Sequence, residues 1–273
     1  MNTPRSIAML LCAAVVATAC EKNAVQDITS PDAGSARVKF FNFGVSAPAV
    51  NFYANDTKMT AINLGTCAIL TDANRELCTT TGTESTGGVA YGGAGSSGFY
   101  AAIQPGQYTL SGKIAAATDK DLAISSVPAT IADGKHYSFF QSGFYNTTTK
   151  TVDGFIVEDA FPAAFDYAVA YVRFVNAISN ANPMTLYARH TTTSTEEVVG
   201  GIVAYKAGGA FTALPSGVYD LSTRYAGAST NAIARAGVSF VAGRVYTITA
   251  RGDITITSTT AVNRPFLDNT ANR

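Results

Sequence analysis

The sequence predicts an all-β protein of two tandem immunoglobulin-like antiparallel β-sandwich domains after a signal peptide. Three observations predict it: short runs of alternating apolar and polar residues, turn residues between them at intervals of about 8–12, and a set of motifs that occurs twice. Hydrophobic residues make up 47% of the chain, which is enough for real cores, and long helix formers are scarce. An open β-barrel is the main alternative architecture.

The first 19 residues have the pattern of a secretory signal peptide. Arg5 precedes an apolar run from Ile7 to Val16, and small residues then lead to Cys20. The apolar run is too short to span a membrane, which needs roughly 20 residues. Because a cysteine after small residues is the acceptor that bacterial lipoprotein processing acylates, we expect a lipid on Cys20, with ordinary signal cleavage as the alternative. Residues 20–34 are polar and predict a flexible tether.

The rest of the chain contains one pattern twice, and this repeat predicts the domain limits. The run around Val38 matches the run around Val172, 134 positions later, whereas the motif that ends in Tyr108 matches the one that ends in Tyr219, only 111 positions later. The first copy therefore carries about 23 additional residues. We expect domain 1 at residues 35–162, with an insertion at about 64–98, and domain 2 at residues 163–273.

Alternation within the runs predicts which side chains face each core. In the first run, Val38 and Phe40 lie on one face of a strand, and Lys39 and Phe41 lie on the other. Near the end of the chain, a strand over 245–251 is expected to turn at Gly252 and Asp253 and to pair with a second strand over 254–257 as a hairpin.

Cysteine usage agrees with export. Cys12 leaves with the signal peptide and Cys20 takes the lipid, so that Cys67 and Cys78 remain in the insertion. In an oxidising compartment this pair is expected to form a disulfide, whose short loop would stabilise the fold by roughly 2–3 kcal/mol. A zinc site is disfavoured because two further ligands are missing.

The repeated motifs resemble a family of bacterial exported proteins, often lipoproteins, built from one or two copies of a domain of unknown function. Its hallmark is an opening of the form A-x-V-R-F-x-N-A-S-P-x-A-P-x-V-x-V-Y, followed by L-P-x-G-x-Y near mid-domain. The run from Ser46 to Tyr53 matches the opening, and the run from Ala170 to Asn176 matches its first half. The resemblance covers about 36–264 and implies the fold and an exported location, without a known activity, catalytic residue or cofactor.

Several motifs of catalytic or binding proteins occur, and each has a structural explanation. Residues 93–98 match G-x-G-x-x-G, but a predicted strand follows where nucleotide binding requires a helix. His136 and His190 lie in different copies, and no G-x-S-x-G is present for a Ser-His-Asp triad. The acidic pairs are Asp119/Asp121, Glu158/Asp159 and Glu196/Glu197. Asp119 and Asp121 are too few carboxylates for a calcium site and are expected in a solvated turn. We predict no catalytic residue, no metal and no cofactor.

Two aromatic–glycine segments are the most suggestive candidates for contact with another molecule. They contribute Phe99, Tyr100, Phe144 and Tyr145, whose rings would contact a glycan or a protein if they lined one surface, with packing on edge strands as the alternative. Formal net charge is zero and no basic run occurs, so nucleic acid is not expected as a partner. The tripeptide Arg251-Gly252-Asp253 is expected at a hairpin tip, as turn chemistry.

These features predict a cell-envelope protein that is not an enzyme. We expect it to be anchored to a bacterial membrane, the outer membrane in particular, by an N-terminal lipid, and to face the periplasm or the exterior. It would act as a binding or structural module with a glycan or an envelope protein as partner. The alternatives are an envelope polysaccharide-active enzyme and a glycan-binding adhesin.

Overall fold

The computed structural model describes residues 36–63, 67–70, 75–78, 83–84 and 86–272, without the side chains of 61–85. The signal peptide, Cys20 and the tether therefore lie outside the described residues. Every regular element in these ranges is a β-strand, apart from one 3-10 turn at Gly95–Gly98. No helix in the described ranges is long and apolar enough to cross a membrane.

The first copy contains thirteen of the described strands. They are β1 (Ala36–Asn42), β2 (Val50–Ala54), β3 (Thr57–Lys58), β4 (Ala61–Asn63), β5 (Cys67–Leu70), β6 (Arg75–Cys78), β7 (Thr83–Glu84), β8 (Gly93–Ala94), β9 (Ala101–Ile103), β10 (Gly106–Ile114), β11 (Ala123–Ile131), β12 (His136–Asn146) and β13 (Thr151–Glu158). One sheet has the order β13-β12-β1, with β8 and β9 both pairing the far edge of β1, and the other has the order β11-β10-β2-β3.

The second copy repeats this arrangement. Its strands are β14 (Val169–Asn176), β15 (Met184–His190), β16 (Glu196–Val203), β17 (Ala207–Gly208), β18 (Thr212–Pro215), β19 (Gly217–Tyr225), β20 (Ile233–Phe240), β21 (Val245–Arg251) and β22 (Phe266–Ala271). The order β22-β21-β14, with β17 and β18 on the far edge of β14, faces a second sheet of order β20-β19-β15-β16. The all-β sandwich prediction is confirmed.

The pairing is not antiparallel throughout. β1 runs parallel to β12, and β14 runs parallel to β21, while the other ladders are antiparallel. The sheet that contains the first strand of each copy is therefore mixed. Apolar–polar alternation in the sequence does not reveal this, because the alternation is the same in parallel and antiparallel ladders.

Strand register places the two copies in correspondence. Val38 lies opposite Tyr137, and Val172 lies opposite Tyr246. The two turn tyrosines also match, because the Tyr108 hydroxyl donates to the Gln104 carbonyl at 3.0 Å and the Tyr219 hydroxyl to the Pro215 carbonyl at 2.7 Å. Tyr219 is buried, whereas Tyr108 is half-buried at the edge of its core.

Three apolar clusters fill the described structure. Two lie between the sheets of each copy, around Phe40 and Phe174 respectively, which confirms the predicted inward faces. The third joins the copies, and it consists of Phe41, Phe43, Phe140, Phe155, Val175 and Ala177. The β1 sheet therefore packs its outer face on the β14 sheet, so both sandwiches belong to the one compact unit Gly34–Arg273.

Two short two-stranded ladders lie in and just before the segment expected as an insertion at about 64–98. β4 pairs with β7 and β5 pairs with β6, and Cys67 and Cys78 are directly opposite in that second ladder. Directly opposed residues have Cα atoms about 4.5–5.5 Å apart, within the range that a disulfide spans. Their side chains lie outside the described part, and the disulfide stays a prediction.

The predicted hairpin after β21 is wrong. Residues 254–257 form a turn and irregular chain, and β21 pairs with β22 instead. The reason is local, because the Asp253 carboxylate accepts hydrogen bonds from the Thr255 amide at 3.0 Å and from its hydroxyl at 2.7 Å, which holds the chain in an Asx-type turn.

Candidate functional site

The four aromatic candidates do not form one surface. Phe99 and Phe144 are exposed, but the Tyr145 ring packs against the first core. Tyr100 lies beside His136 at the start of β12, at 5.1 Å between ring centroids, whereas Phe144 is near the other end of that strand. Eight strand residues span roughly 26 Å. The two segments therefore present separate rings to solvent.

The charged and histidine candidates of the second copy make structural contacts. Glu196 accepts two hydrogen bonds of 2.7 Å from the Arg224 guanidinium, which holds the pKa of this carboxyl below its usual range. The His190 Nδ1 atom accepts the amides of Thr192 and Thr193, each at 3.2 Å, so the ring closes a tight turn.

The tripeptide at 251–253 is not an exposed loop. The Arg251 guanidinium donates to the Asp268 carboxylate, and its side chain is only 14% exposed. It also lies over the ring of Phe43 in the other copy, at 5.7 Å from the ring centroid. Arg251 therefore belongs to the contact between the copies.

A buried ion pair crosses the junction between the copies. Arg173 of β14 and Asp159, which follows β13, are joined through the guanidinium Nη2 and the carboxylate Oδ1, and the two residues are 1% and 2% exposed. The carboxylate also accepts from the Ser138 hydroxyl at 2.9 Å and from the Tyr100 hydroxyl at 2.5 Å. Burial and the neighbouring Asp159 charge raise the pKa of Tyr100, so that it stays a neutral donor.

Lys39 of the first copy makes the corresponding contact with the end of the last strand of the second copy. Its ammonium donates to the Ala271 carbonyl at 2.6 Å and more weakly to the Asn272 side-chain oxygen at 3.4 Å, and it lies 4.4 Å from the centroid of the Tyr100 ring. Lys39 is 2% exposed. Burial lowers its pKa from 10.5 to about 8, against the opposing attraction of Asp159.

These contacts obey an approximate two-fold symmetry, because register makes Lys39 equivalent to Arg173. Each cation reaches the end of the last strand of the other copy. Arg173 of the second copy donates to the Glu158 carbonyl at 2.9 Å, and Lys39 of the first copy donates to the Ala271 carbonyl. Each also lies over an aromatic ring that precedes an equivalent strand, Tyr100 for Lys39 and Phe211 for Arg173. The interface is isologous in form.

One equivalence is broken, and it changes the charge. The position of Asp159 is taken by Asn272 in the other half, where the Asn272 amide donates to the Thr247 hydroxyl at 2.6 Å, as Asp159 accepts from Ser138. Arg173 therefore has a carboxylate partner, and Lys39 has a neutral amide. The buried cluster consists of two cations and one carboxylate.

A cavity of about 440 Å³ opens at the Lys39 half of the junction. Its lining includes Lys39, Phe99, Tyr100, Arg244, Asn269 and Asn272, and none of the lining residues is acidic. Phe99 is 55% exposed, and Arg244 is also exposed. The cavity therefore combines a buried ammonium, a second cation, amide groups and an accessible aromatic ring.

Another depression, of about 510 Å³, lies on the outer sheet of the second copy. Its acidic groups Glu196 and Asp220 already have partners, because Glu196 pairs with Arg224 and the Asp220 carboxylate accepts the Gly237 amide at 3.1 Å. The junction cavity is therefore the stronger candidate site. Among residues with described side chains, no group of three His, Cys, Asp or Glu is placed to hold a metal ion.

Sequence reasoning found Tyr100 and Phe99 but missed Lys39, Arg244 and Asn272. A signal was available for Lys39, because a cation stands between a valine and a phenylalanine in both copies, as Lys39 in the first and Arg173 in the second. A cation kept between apolar neighbours in both copies indicates a buried partner. The identity of that partner depends on how the copies pack, and no local pattern contains this.

Residues 170–272 match the sequence profile of a family described as Domain of unknown function (DUF4397). The match covers the second copy from β14 to Asn272 and assigns no activity. No protein with a curated description matches the chain.

Proposed function

We propose that this protein is a lipid-anchored component of a bacterial cell envelope and serves as a non-enzymatic binding or structural module. The anchor is supported by the signal pattern that ends at Cys20. Attachment to the outer membrane, facing the periplasm or the exterior, is part of the same proposal. So is the assignment of both copies to one exported domain family, which the shared strand order and register support.

The observation that carries the non-enzymatic role is the engagement of the candidate catalytic groups in structural contacts. Asp159 neutralises Arg173 inside the junction, Glu196 is held by Arg224, and His190 closes a turn. Glycosidase chemistry needs two carboxyl groups that face the scissile bond, and the residues lining the junction cavity supply none. A cavity with cations, amides and an exposed ring is suited to holding a ligand.

The anchor is tested by comparing two cysteine variants in the native host. Cys20→Ser should release the protein from membranes or leave the precursor unprocessed, because the acyl acceptor is lost. Cys12→Ser is the matched control, since that residue leaves with the signal peptide and the protein should remain in the membrane fraction. An unacylated N-terminus in the intact mass of the wild-type protein would reject the anchor.

The non-enzymatic role is tested with the purified mature protein and isolated envelope polysaccharide. We expect no increase in reducing ends over a heat-denatured sample of the same protein. Sustained release of reducing ends by the folded protein would support the polysaccharide-active alternative and overturn this part of the proposal.

A further inference from the structure

The half of the junction around Lys39, which contains the cavity, can be compared directly with the equivalent half around Arg173. In one half a buried cation meets the carboxylate of Asp159, and in the other Lys39 meets the amide of Asn272. A buried cation is expensive unless a negative charge is near. The half without the carboxylate is also the half that opens as a cavity with Arg244 in its lining.

We propose that the junction cavity binds a sugar acid, a pyranose ring that carries one carboxylate, through Lys39, Arg244 and the exposed ring of Phe99. Asp159 attracts Lys39 only through space, whereas it is bonded directly to Arg173. The ligand carboxylate would give Lys39 the directly bonded negative partner that Asp159 gives Arg173. This ligand class deepens the proposed binding role and depends on it.

The chemistry of the lining supports each part of such a ligand. An ammonium has three donors, and the described partners of Lys39 are the Ala271 carbonyl at 2.6 Å, the Tyr100 ring and the Asn272 side-chain oxygen at 3.4 Å. The contact with Asn272 is the longer of the two hydrogen bonds, and it is the one that a ligand carboxylate would replace. Asn269 and Thr270 offer groups that can bond hydroxyls, and the Phe99 ring offers a flat apolar surface. The cavity volume of about 440 Å³ lies within the range of small-molecule sites and is large enough for a monosaccharide.

The probe is D-glucuronate, measured by saturation-transfer NMR titration against the purified mature protein. We expect saturable binding in the millimolar range, as suits a small ligand. D-glucose has the same ring without the carboxylate and should bind at least tenfold more weakly. Inorganic phosphate has the charge without the ring and should compete poorly.

Two rim variants test the assignment without disturbing the fold. Phe99→Ala should weaken glucuronate binding about threefold to tenfold, since this is the contribution to affinity expected of one aromatic contact. Arg244→Gln should weaken it about twofold to fivefold, as expected for an exposed charge. The matched controls are Phe144→Ala and Arg189→Gln, which remove an exposed ring and an exposed cation outside the cavity and should bind as wild type.

The sharpest variant is Asn272→Asp, which recreates the arrangement of the other half. The new carboxylate should pair with Lys39, accept from Thr247 and abolish glucuronate binding, while the melting temperature is kept or raised. This combination distinguishes competition for Lys39 from simple unfolding, which would lower both.

Several outcomes would overturn the ligand assignment. They are equal binding of glucose and glucuronate, binding of phosphate as tight as that of glucuronate, wild-type affinity in both rim variants, or undiminished binding in Asn272→Asp. Membrane retention of the wild-type chain in the native host, compared with Cys20→Ser, reports on the proposed envelope role alone. A failed ligand assignment with a retained protein therefore leaves that role standing.

Discussion

Replacing Asp159 with asparagine should destabilise the whole described unit. Asp159→Asn preserves the shape of the side chain but leaves the Arg173 guanidinium buried beside a neutral amide, with both side chains at most 2% exposed. Removing one partner of a buried pair costs about 3–5 kcal/mol, a large fraction of the 5–15 kcal/mol that holds a typical protein folded. In a chain of this size, the melting temperature should fall by roughly 6–20 °C.

A double variant separates the charge from the packing. Adding Arg173→Met to Asp159→Asn removes the unpaired cation, so the double variant should be more stable than Asp159→Asn alone by at least about 1 kcal/mol. Equilibrium unfolding in guanidinium, followed by circular dichroism because the chain has no tryptophan, measures both. A loss below about 1 kcal/mol for Asp159→Asn, or no recovery in the double variant, would refute the reasoning.

Three further predictions concern pH, the cores and the insertion. In the folded protein Lys39 faces Asp159, Arg173, Tyr100 and the Arg244 side of the cavity, and its pKa is about 8 instead of 10.5. Between these two pH values the unfolded chain therefore holds one more proton than the folded chain. The free energy of unfolding should therefore rise by about 2–3 kcal/mol from pH 8 to pH 10. Above pH 10 the raised pKa of Tyr100 reverses the trend. Denaturant titrations of Lys39→Met should show no rise between pH 8 and pH 10. Phe40→Ala and Phe174→Ala should each cost about 3–5 kcal/mol in the same unfolding assay, against less than about 0.5 for the exposed Phe99→Ala, and similar losses in all three would contradict the assigned cores. Non-reducing peptide mapping should recover Cys67 and Cys78 in one linked peptide, and two free thiols in protein from the envelope would reject the disulfide.

The cores could be predicted from sequence because they depend on local alternation. Val38 and Phe40 point inward in a strand whose period is two, and the matching positions of the second copy behave alike. The turn at Asp253 could not be predicted in this way, because apolar–polar alternation in a short run competes with a side-chain turn that needs only one carboxylate.

The junction could not be predicted because its contacts depend on how the two copies pack. Lys39 contacts Ala271 across 232 positions, and Arg173 meets Asp159 only when the outer faces of two sheets pack together. The face that carries Lys39 and Phe41 is mixed in the sequence, and alternation does not say whether such a face is an edge, an interface or a surface. The functional candidate lies at this unpredicted contact.

The crossed Lys39 and Arg173 contacts should make both sandwiches one cooperative body and so build the cavity. Differential scanning calorimetry of the mature chain tests it most directly. The account predicts a single transition whose calorimetric and van't Hoff enthalpies agree. Two resolved transitions, one for each sandwich, would show that the copies unfold independently and would contradict it.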